Sequence, residues 1–275
     1  MAQLIDIINN NKSLRQVYHY LELGFHTCDA DVFQSCLNSF QVDGETLNPD
    51  MLLEFRKYIT EEMAKRQCSK RYIAEMNNIV TIYGSALISV QFETFLETNI
   101  DSAWAINFYD FASKIYDQDI QPLWSKILEI ELKKPKSFYK RTLDVFYRAD
   151  KFELDWFFEI TQFVFDKACV PEFILIDNKF YPFNKFQTLI DAGFVNASLG
   201  RLSYSESVTM HLTSADVHVE IIKPPLGYSI YTLTDAGSQL FDLRPELNSE
   251  EFLTKLKESI EESNIAKVSS IVRKA

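Results

Sequence analysis

Glycine and proline are scarce: seven Gly and eight Pro stand among 275 residues, against usual shares of roughly 7% and 5%. So small a supply excludes long flexible linkers and favours packed regular elements. Cys28, Cys36, Cys68 and Cys169 form no C-x-x-C pair and have no His at ligand spacing, which argues against the common zinc motifs and predicts reduced, mostly buried thiols. No stretch approaches the ~18 apolar residues of a membrane span. The opening MAQLIDIINNNKSL has neither a basic n-region nor an apolar h-region, so a cytoplasmic protein with no membrane partner is expected.

Catalytic signatures are also missing. There is no P-loop, G-x-G-x-x-G, G-x-S-x-G or H-E-x-x-H, and each of those carries its chemistry through fixed spacing. The acidic pairs Asp117 and Asp119, and Glu129 and Glu131, are two residues apart and do not share a helical face. His19 falls in a helical pattern, and His211 and His218 in β-like runs, where structural roles are the ordinary ones; His26 adds a fourth. The expectation is therefore no catalytic residue, no cofactor and no metal. A nuclease or hydrolase assembled from distant residues stands as a third alternative.

What is abundant is aromatic surface. The 22 Phe and 13 Tyr are costly to leave in water and predict a generous core. Apolar residues recur at helical spacing through most of the chain: Leu14, Val17, Tyr18 and Leu21 before a stop at Gly24; Leu52, Phe55, Ile59 and Met63 after the Asn48-Pro49-Asp50 start; Tyr72, Ile73, Met76, Ile79, Val80 and Tyr83; and Trp104, Phe108, Phe111 and Ile115 behind Asp101. Such stripes predict amphipathic helices packed as a bundle.

The character changes near Pro171. A helix ending in Asp191-Ala192-Gly193 is followed by LSYSESVTMHLT and VHVEIIKPPLGYSIYTLT, which alternate as strands do, with a turn at Pro224, Pro225 and Gly227. Thr234 then opens a helical turn. Helix, strand, strand and LTDAG is the order of a winged-helix module. EEFLTKLKESIEES follows as a helix with Phe252, Leu256 and Ile260 inward, and AKVSSIVRK reads as a closing strand. The predicted class is mainly α, a helical bundle followed by a small winged-helix-like α+β module. The expected domains are a helical region over 1–68, a helical core over 69–170 and the winged-helix-like part over 171–275.

Net charge is −11, which disfavours nonspecific attraction to nucleic acid or anionic lipid over the whole surface. Residues 121–151 are the exception, with eight Lys or Arg against four Asp or Glu, a balance of +4. Within them Lys133, Lys134, Lys136, Lys140 and Arg141 fall in nine residues between two predicted helices. Lys133 and Lys134 can offset the negative end of the first helix. Pro135 suits a first helical turn, and Ser137 can cap a helix whose inward stripe is Phe138, Leu143 and Phe146. Two readings stand: a solvated corner with structural caps, or a candidate anion or partner contact. Arg141 is suited to bidentate pairing with a carboxylate or phosphate, including a buried acid of the bundle itself. Residues 181–245 hold four Lys or Arg against six Asp or Glu, too little positive charge for the winged-helix part to gain much from counterion release.

Residues 69–243 resemble a bacterial family of unknown function related in layout to the abortive infection protein alpha group. The resemblance rests on RYIAEMNNIV, on DQDIQPLWSKILEIELKKPKSFYKRTLDVF, on LIDAGFV and on YTLTDAGSQL. The middle stretch is similar to a pattern LW..IL..E...P.SF..RTL, met here by Leu123, Trp124, Ile127, Leu128, Glu131, Pro135, Ser137, Phe138, Arg141, Thr142 and Leu143. Lys136 departs from it, standing where a small residue usually precedes the serine. The resemblance implies no catalytic residue. It implies a cytoplasmic, non-enzymatic component of host–phage conflict: a sensor, scaffold or effector subunit whose partner is another protein or a second copy of itself. The alternative is a nucleic-acid-binding regulator using the winged helix together with the basic corner.

Overall fold

The computed structural model describes every residue except 26–29, 45, 94–99, 179, 213–214, 244–249, 263–265 and 275, and leaves aside the side chains of 173, 177, 178, 228, 251, 252, 255 and 259. The chain is 58% helical, with small antiparallel sheets. It divides into two compact units, residues 1–143 and 144–275.

The first unit opens with β1 (Ala2–Gln3) and α1 (Leu4–Asn10), then α2 (Lys12–Leu23), α3 (Ala30–Ser39) and β2 (Gln41–Val42), which pairs antiparallel with β1. It continues through α4 (Pro49–Lys65), α5 (Lys70–Val90), α6 (Ser102–Ala112) and α7 (Gln121–Lys133), and α8 (Lys140–Arg148) runs across the division. Side chains placed by the sequence start these helices. Asn48 accepts from the Met51 N–H at 2.9 Å, Ser69 from Tyr72 at 3.1 Å and Asp101 from Trp104 at 2.8 Å. Each satisfies a donor that the first turn cannot pair internally. Asn48→Ala is expected to lower stability by about 1 kcal/mol, read as a shift in the urea midpoint at unchanged slope.

The core of this unit is aromatic, as the composition predicts. Phe108 is fully buried between Trp104, nearly parallel at 5.1 Å, and Trp124 at 5.3 Å. Buried polar groups are paired rather than avoided: Asn78 donates to the Ser113 carbonyl at 2.8 Å, and Gln121 donates to Asn78 at 3.1 Å and to the Ile115 carbonyl at 2.8 Å. One expectation needs correction and one is met for a further reason. The inward stripe of α4 is Met51, Phe55, Ile59 and Met63, with Leu52 only half-buried. Leu52 instead lies against Gly84, where an added Cβ would meet its Cδ1 at 2.2 Å. Gly24 does follow α2, but in right-handed geometry; its side chain is excluded because a Cβ there would sit 2.1 Å from Cγ of Tyr109.

In the second unit α9 (Lys151–Thr161) leads to β3 (Cys169–Pro171), a 3-10 turn over Glu172–Asn178 and α10 (Phe183–Asp191). Then come β4 (Gly200–Tyr204), β5 (Val208–His211), β6 (Ala215–Ile221) and β7 (Leu226–Thr232). The chain continues through α11 (Asp235–Leu240), α12 (Glu250–Glu262) and β8 (Ala266–Arg273). Two three-stranded antiparallel sheets result, ordered β3-β7-β4 and β5-β6-β8.

The two long alternating runs therefore do not form one hairpin. Each breaks in the middle, at residues 205–207 and 222–225, and its halves go to different sheets. Pro224 and Pro225 cannot donate to a ladder and end β6. β8 forms as expected. On α12, Leu256 and Ile260 are buried, while the expected inward side chain of Phe252 lies outside the described residues.

The end of α10 explains Asp191-Ala192-Gly193. Gly193 has φ +84°, its N–H bonds to the Ile190 carbonyl at 3.0 Å, and the next N–H, of Phe194, bonds to the Leu189 carbonyl at 3.0 Å. This is a Schellman termination, closed by apolar contact at Leu189 and Phe194, both fully buried.

Candidate functional site

At the turn between α7 and α8, Trp124, Ile127 and Leu128 face the core, and so does Glu131, only 2% exposed. A carboxylate in that position needs donors. It finds them in the backbone: Oε1 accepts from the Lys136 N–H at 2.6 Å, and Oε2 from the Phe138 N–H at 3.0 Å. Burial raises the Glu131 pKa above the usual carboxylate range, and the amides of Lys136, Phe138 and Ser137 pull the other way. Lys136 is left-handed, with φ +70°, a conformation that costs a non-glycine residue about 1 kcal/mol or more. The carboxylate bridging its N–H and that of Phe138 holds the turn in this shape.

The helix–turn–helix expectation is corrected in two details. Pro135 lies in the turn, and α8 begins only at Lys140. Ser137 caps nothing: its hydroxyl donates to the Lys134 carbonyl at 2.6 Å. Phe138, Leu143 and Phe146 are buried as predicted.

The five basic residues separate into two kinds. Lys133 is consumed locally, paired with Glu93 at 2.9 Å and Glu129 at 3.0 Å, which raises its pKa. Burial of Glu129 opposes its charged form, but hydrogen bonds from Lys133 and Lys126 outweigh that and lower its pKa. Lys134, Lys136, Lys140 and Arg141 are exposed, and none makes an ion pair with another described residue. Arg141 therefore does not serve the buried acid, which the backbone already satisfies. Tyr139, 55% exposed, stands among the four cations.

Residues 61–179 match the family model described as protein of unknown function (DUF2806). The DUF2806 match begins inside α4, includes the whole α7–α8 corner and stops before α10, so LIDAGFV and YTLTDAGSQL lie outside it. No curated protein and no solved structure matches the chain.

Other sequence candidates lie apart from the corner. His211 Nδ1 is 2.8 Å from Asp216, which also pairs with Lys274 at 2.8 Å; bonds from Lys274 and His211 lower the Asp216 pKa. His218 Nδ1 is 2.8 Å from the Thr209 hydroxyl in a cross-strand pair. His19 is exposed beside Tyr20. Cys36 is buried, Cys68 and Cys169 are half-buried, and all three are free thiols. His26 and Cys28 lie outside the described residues. Among the described residues no three His, Cys, Asp or Glu are grouped to hold a metal ion, and no helix is long and apolar enough to cross a membrane.

On α10 the one lysine is engaged. Lys185 pairs with Glu159 of α9 at 2.8 Å, and its Nζ lies 5.4 Å from the Trp156 ring centre and 5.9 Å from that of Tyr181. The exposed face of that helix carries Asn184, Gln187 and Asp191, with no positive charge. Sequence reasoning puts Glu131 in the LW..IL..E pattern but misses its role in holding the turn. Its signal was a lone acid on an otherwise apolar helix face, a few residues before Pro135.

Proposed function

We propose that this chain is a cytoplasmic, non-enzymatic protein-interaction component that engages its partner through the α7–α8 corner, with Lys134, Lys136, Lys140 and Arg141 as contact residues. Its setting in this reading is anti-phage or abortive infection, as sensor, scaffold or effector subunit, supported by the resemblance of the LW..IL..E...P.SF..RTL stretch alone. One observation carries the reading: four exposed cations, none in an ion pair with a described residue, lie on and just after a turn fixed by a buried carboxylate. Local capping of α7 needs one or two positive charges, and Lys133 already has its acids. Cations held on a rigid support give specificity and on-rate at an interface.

A photo-cross-linking residue in place of Tyr139, in the full chain exposed to lysate of infected and uninfected cells, tests it. Protein adducts are expected that disappear when Lys140→Glu and Arg141→Glu are added. Adducts unchanged by charge reversal overturn the reading, and so does metal-dependent turnover of nucleic acid or nucleotide by the purified chain.

A second reading, a winged-helix nucleic-acid-binding regulator, is favoured by the β3-β7-β4 order with α9, the 3-10 turn and α10 preceding β4, the layout in which a third helix can enter a groove. The engagement of Lys185 and the uncharged-to-acidic face of α10 weigh against it. A gel shift at low salt that weakens steeply as salt rises, and is lost in Lys140→Glu with Arg141→Glu, supports it over the first; no shift at low salt removes it.

A further inference from the structure

α5 and α7 run in the same direction. The Gln121 amide at the start of α7 donates to Asn78 of α5 at 3.1 Å, and Lys133 at the end of α7 pairs at 2.9 Å with Glu93, just past the end of α5. Both C-termini therefore lie at one end of the first unit, where the basic turn stands beside residues 91–93. Those three residues are pinned by polar contacts. The Gln91 side chain accepts from the Leu47 N–H at 2.7 Å and donates to the Leu47 carbonyl at 2.8 Å. Asn11 donates to the Gln91 carbonyl at 2.7 Å, and the Ser13 hydroxyl donates to the Glu93 carbonyl. On this anchored backbone Phe92 is 78% exposed, and none of the bonds that fix the segment uses its ring. A lone exposed apolar side chain is ordinary; a phenyl ring displayed beside a cluster of cations is not.

Helix electrostatics account for only part of that cluster. The negative ends of α5 and α7 favour cations nearby, a role that Lys133 and Lys134 fill. Lys140 and Arg141 instead open α8, where the positive end of the helix disfavours them. They stand exposed there with no ion pair to a described residue, so the fold gains nothing from their charge and an acidic ligand would. The extent of the basic island limits what that ligand is. With the +4 of residues 121–151 set aside from the net −11, the rest of the chain carries −15. A nucleic acid or a bilayer presents negative charge well beyond the corner and would meet that acidic remainder, whereas a short acidic segment of a protein would not. One displayed ring also offers no succession of stacking surfaces for the bases of a single strand. We infer that the partner of the corner is an acidic protein segment carrying an apolar side chain, with its carboxylates toward Lys136, Lys140 and Arg141 and its apolar side chain against the Phe92 ring. This rests on the reading of the corner as a protein contact, and it names the chemistry of that protein. The ring contributes affinity by leaving water, and the cations contribute orientation and association rate.

Fluorescence anisotropy of the full chain with labelled probes tests this. The first probe is a synthetic peptide of glutamates interrupted by two leucines, and the second is the same peptide with serines in place of the leucines. At about 50 mM salt the leucine peptide is expected to bind about tenfold more tightly than the serine peptide, and both are expected to weaken steeply as salt rises. Phe92→Ser is expected to bring the leucine peptide down to the affinity of the serine peptide and to leave the serine peptide unchanged. Lys140→Glu with Arg141→Glu is expected to abolish binding of both. Phe92, Lys140 and Arg141 are exposed, and a wild-type circular dichroism spectrum in each variant excludes misfolding. Equal binding of the two peptides overturns the inference, and so does an equal loss of both in Phe92→Ser or no binding of either. Tighter binding of a thymidine oligonucleotide or of phosphatidylglycerol vesicles at the same salt overturns it as well. Cross-linked adducts at position 139 that require Lys140 and Arg141 but survive Phe92→Ser leave the corner's role in place and refute only this partner chemistry.

Discussion

Replacing Gly237 with Ala is expected to lower stability by about 3 kcal/mol, and the melting temperature by roughly 6–12 °C for a protein of this size. A Cβ at position 237 would lie 2.2 Å from the carbonyl oxygen of Phe194 and 3.3 Å from Cβ of Leu233. The first of these is backbone and cannot swing away. That carbonyl also accepts from the Thr234 N–H at 3.0 Å, while the Thr234 hydroxyl donates to the Gly193 carbonyl at 2.6 Å and accepts from the Gly237 N–H at 3.1 Å. Moving it to admit a methyl group pulls apart the junction of α10, β7 and α11. Gly200→Ala is the control: a Cβ there meets its nearest atom at 3.6 Å, ordinary contact, and little change is expected. Thermal melts showing the two variants alike would remove the close-approach account of the LTDAG glycine.

The second large effect is expected at Glu131. Truncation to Ala leaves the Lys136 and Phe138 N–H groups without their acceptor, and Phe138 is buried, so a loss of about 3 kcal/mol is expected. Gln keeps one carbonyl oxygen for one of the two amides and is expected to lose less. The Gln variant also reports on charge. Since burial raises the Glu131 pKa in the folded state, the folded protein binds that proton more tightly than the unfolded chain does. Its contribution to stability is present below the unfolded value, about 4.3, and is lost as pH rises through the folded value. Wild type should therefore lose stability relative to Glu131→Gln across that window in urea titrations. A difference between them that stays flat with pH refutes the assignment of the raised pKa to Glu131.

Much of the helical part was legible because its signals are local. Asn48, Ser69 and Asp101 cap the helices they precede, and Val17, Ile79, Phe108 and Trp124 of the apolar stripes are buried while Tyr72, Ile73 and Phe111 are half-buried, since a 3.6-residue period requires only that one face meet a core. Local patterns fail where a neighbour decides. Periodicity puts Leu52 in the α4 stripe, but the side-chain-free surface of Gly84 draws it aside. The strand runs suggest one hairpin because alternation records exposure, not the pairing partner; β7 pairs with both β3 and β4, and β6 with both β5 and β8.

The candidate site divides the same way. Its five positive charges could be counted from the sequence. Which of them are already neutralised depends on Glu93, forty residues upstream of Lys133, and on the direction of the Glu131 side chain.

By itself, the order of residues determined the helical class, the helix starts at Asn48 and Asp101, the aromatic core and the presence of one basic island in an acidic chain, because periodicity, capping and net charge are properties of neighbours along the chain. Only the tertiary structure decided that the Glu131 carboxylate holds a left-handed lysine, that Lys133 and Lys185 are engaged while four other cations make no ion pair with a described residue, and that the Leu53 face stands open beside a groove. Those outcomes depend on which distant groups come within hydrogen-bonding distance once the helices pack, and no local pattern encodes that distance.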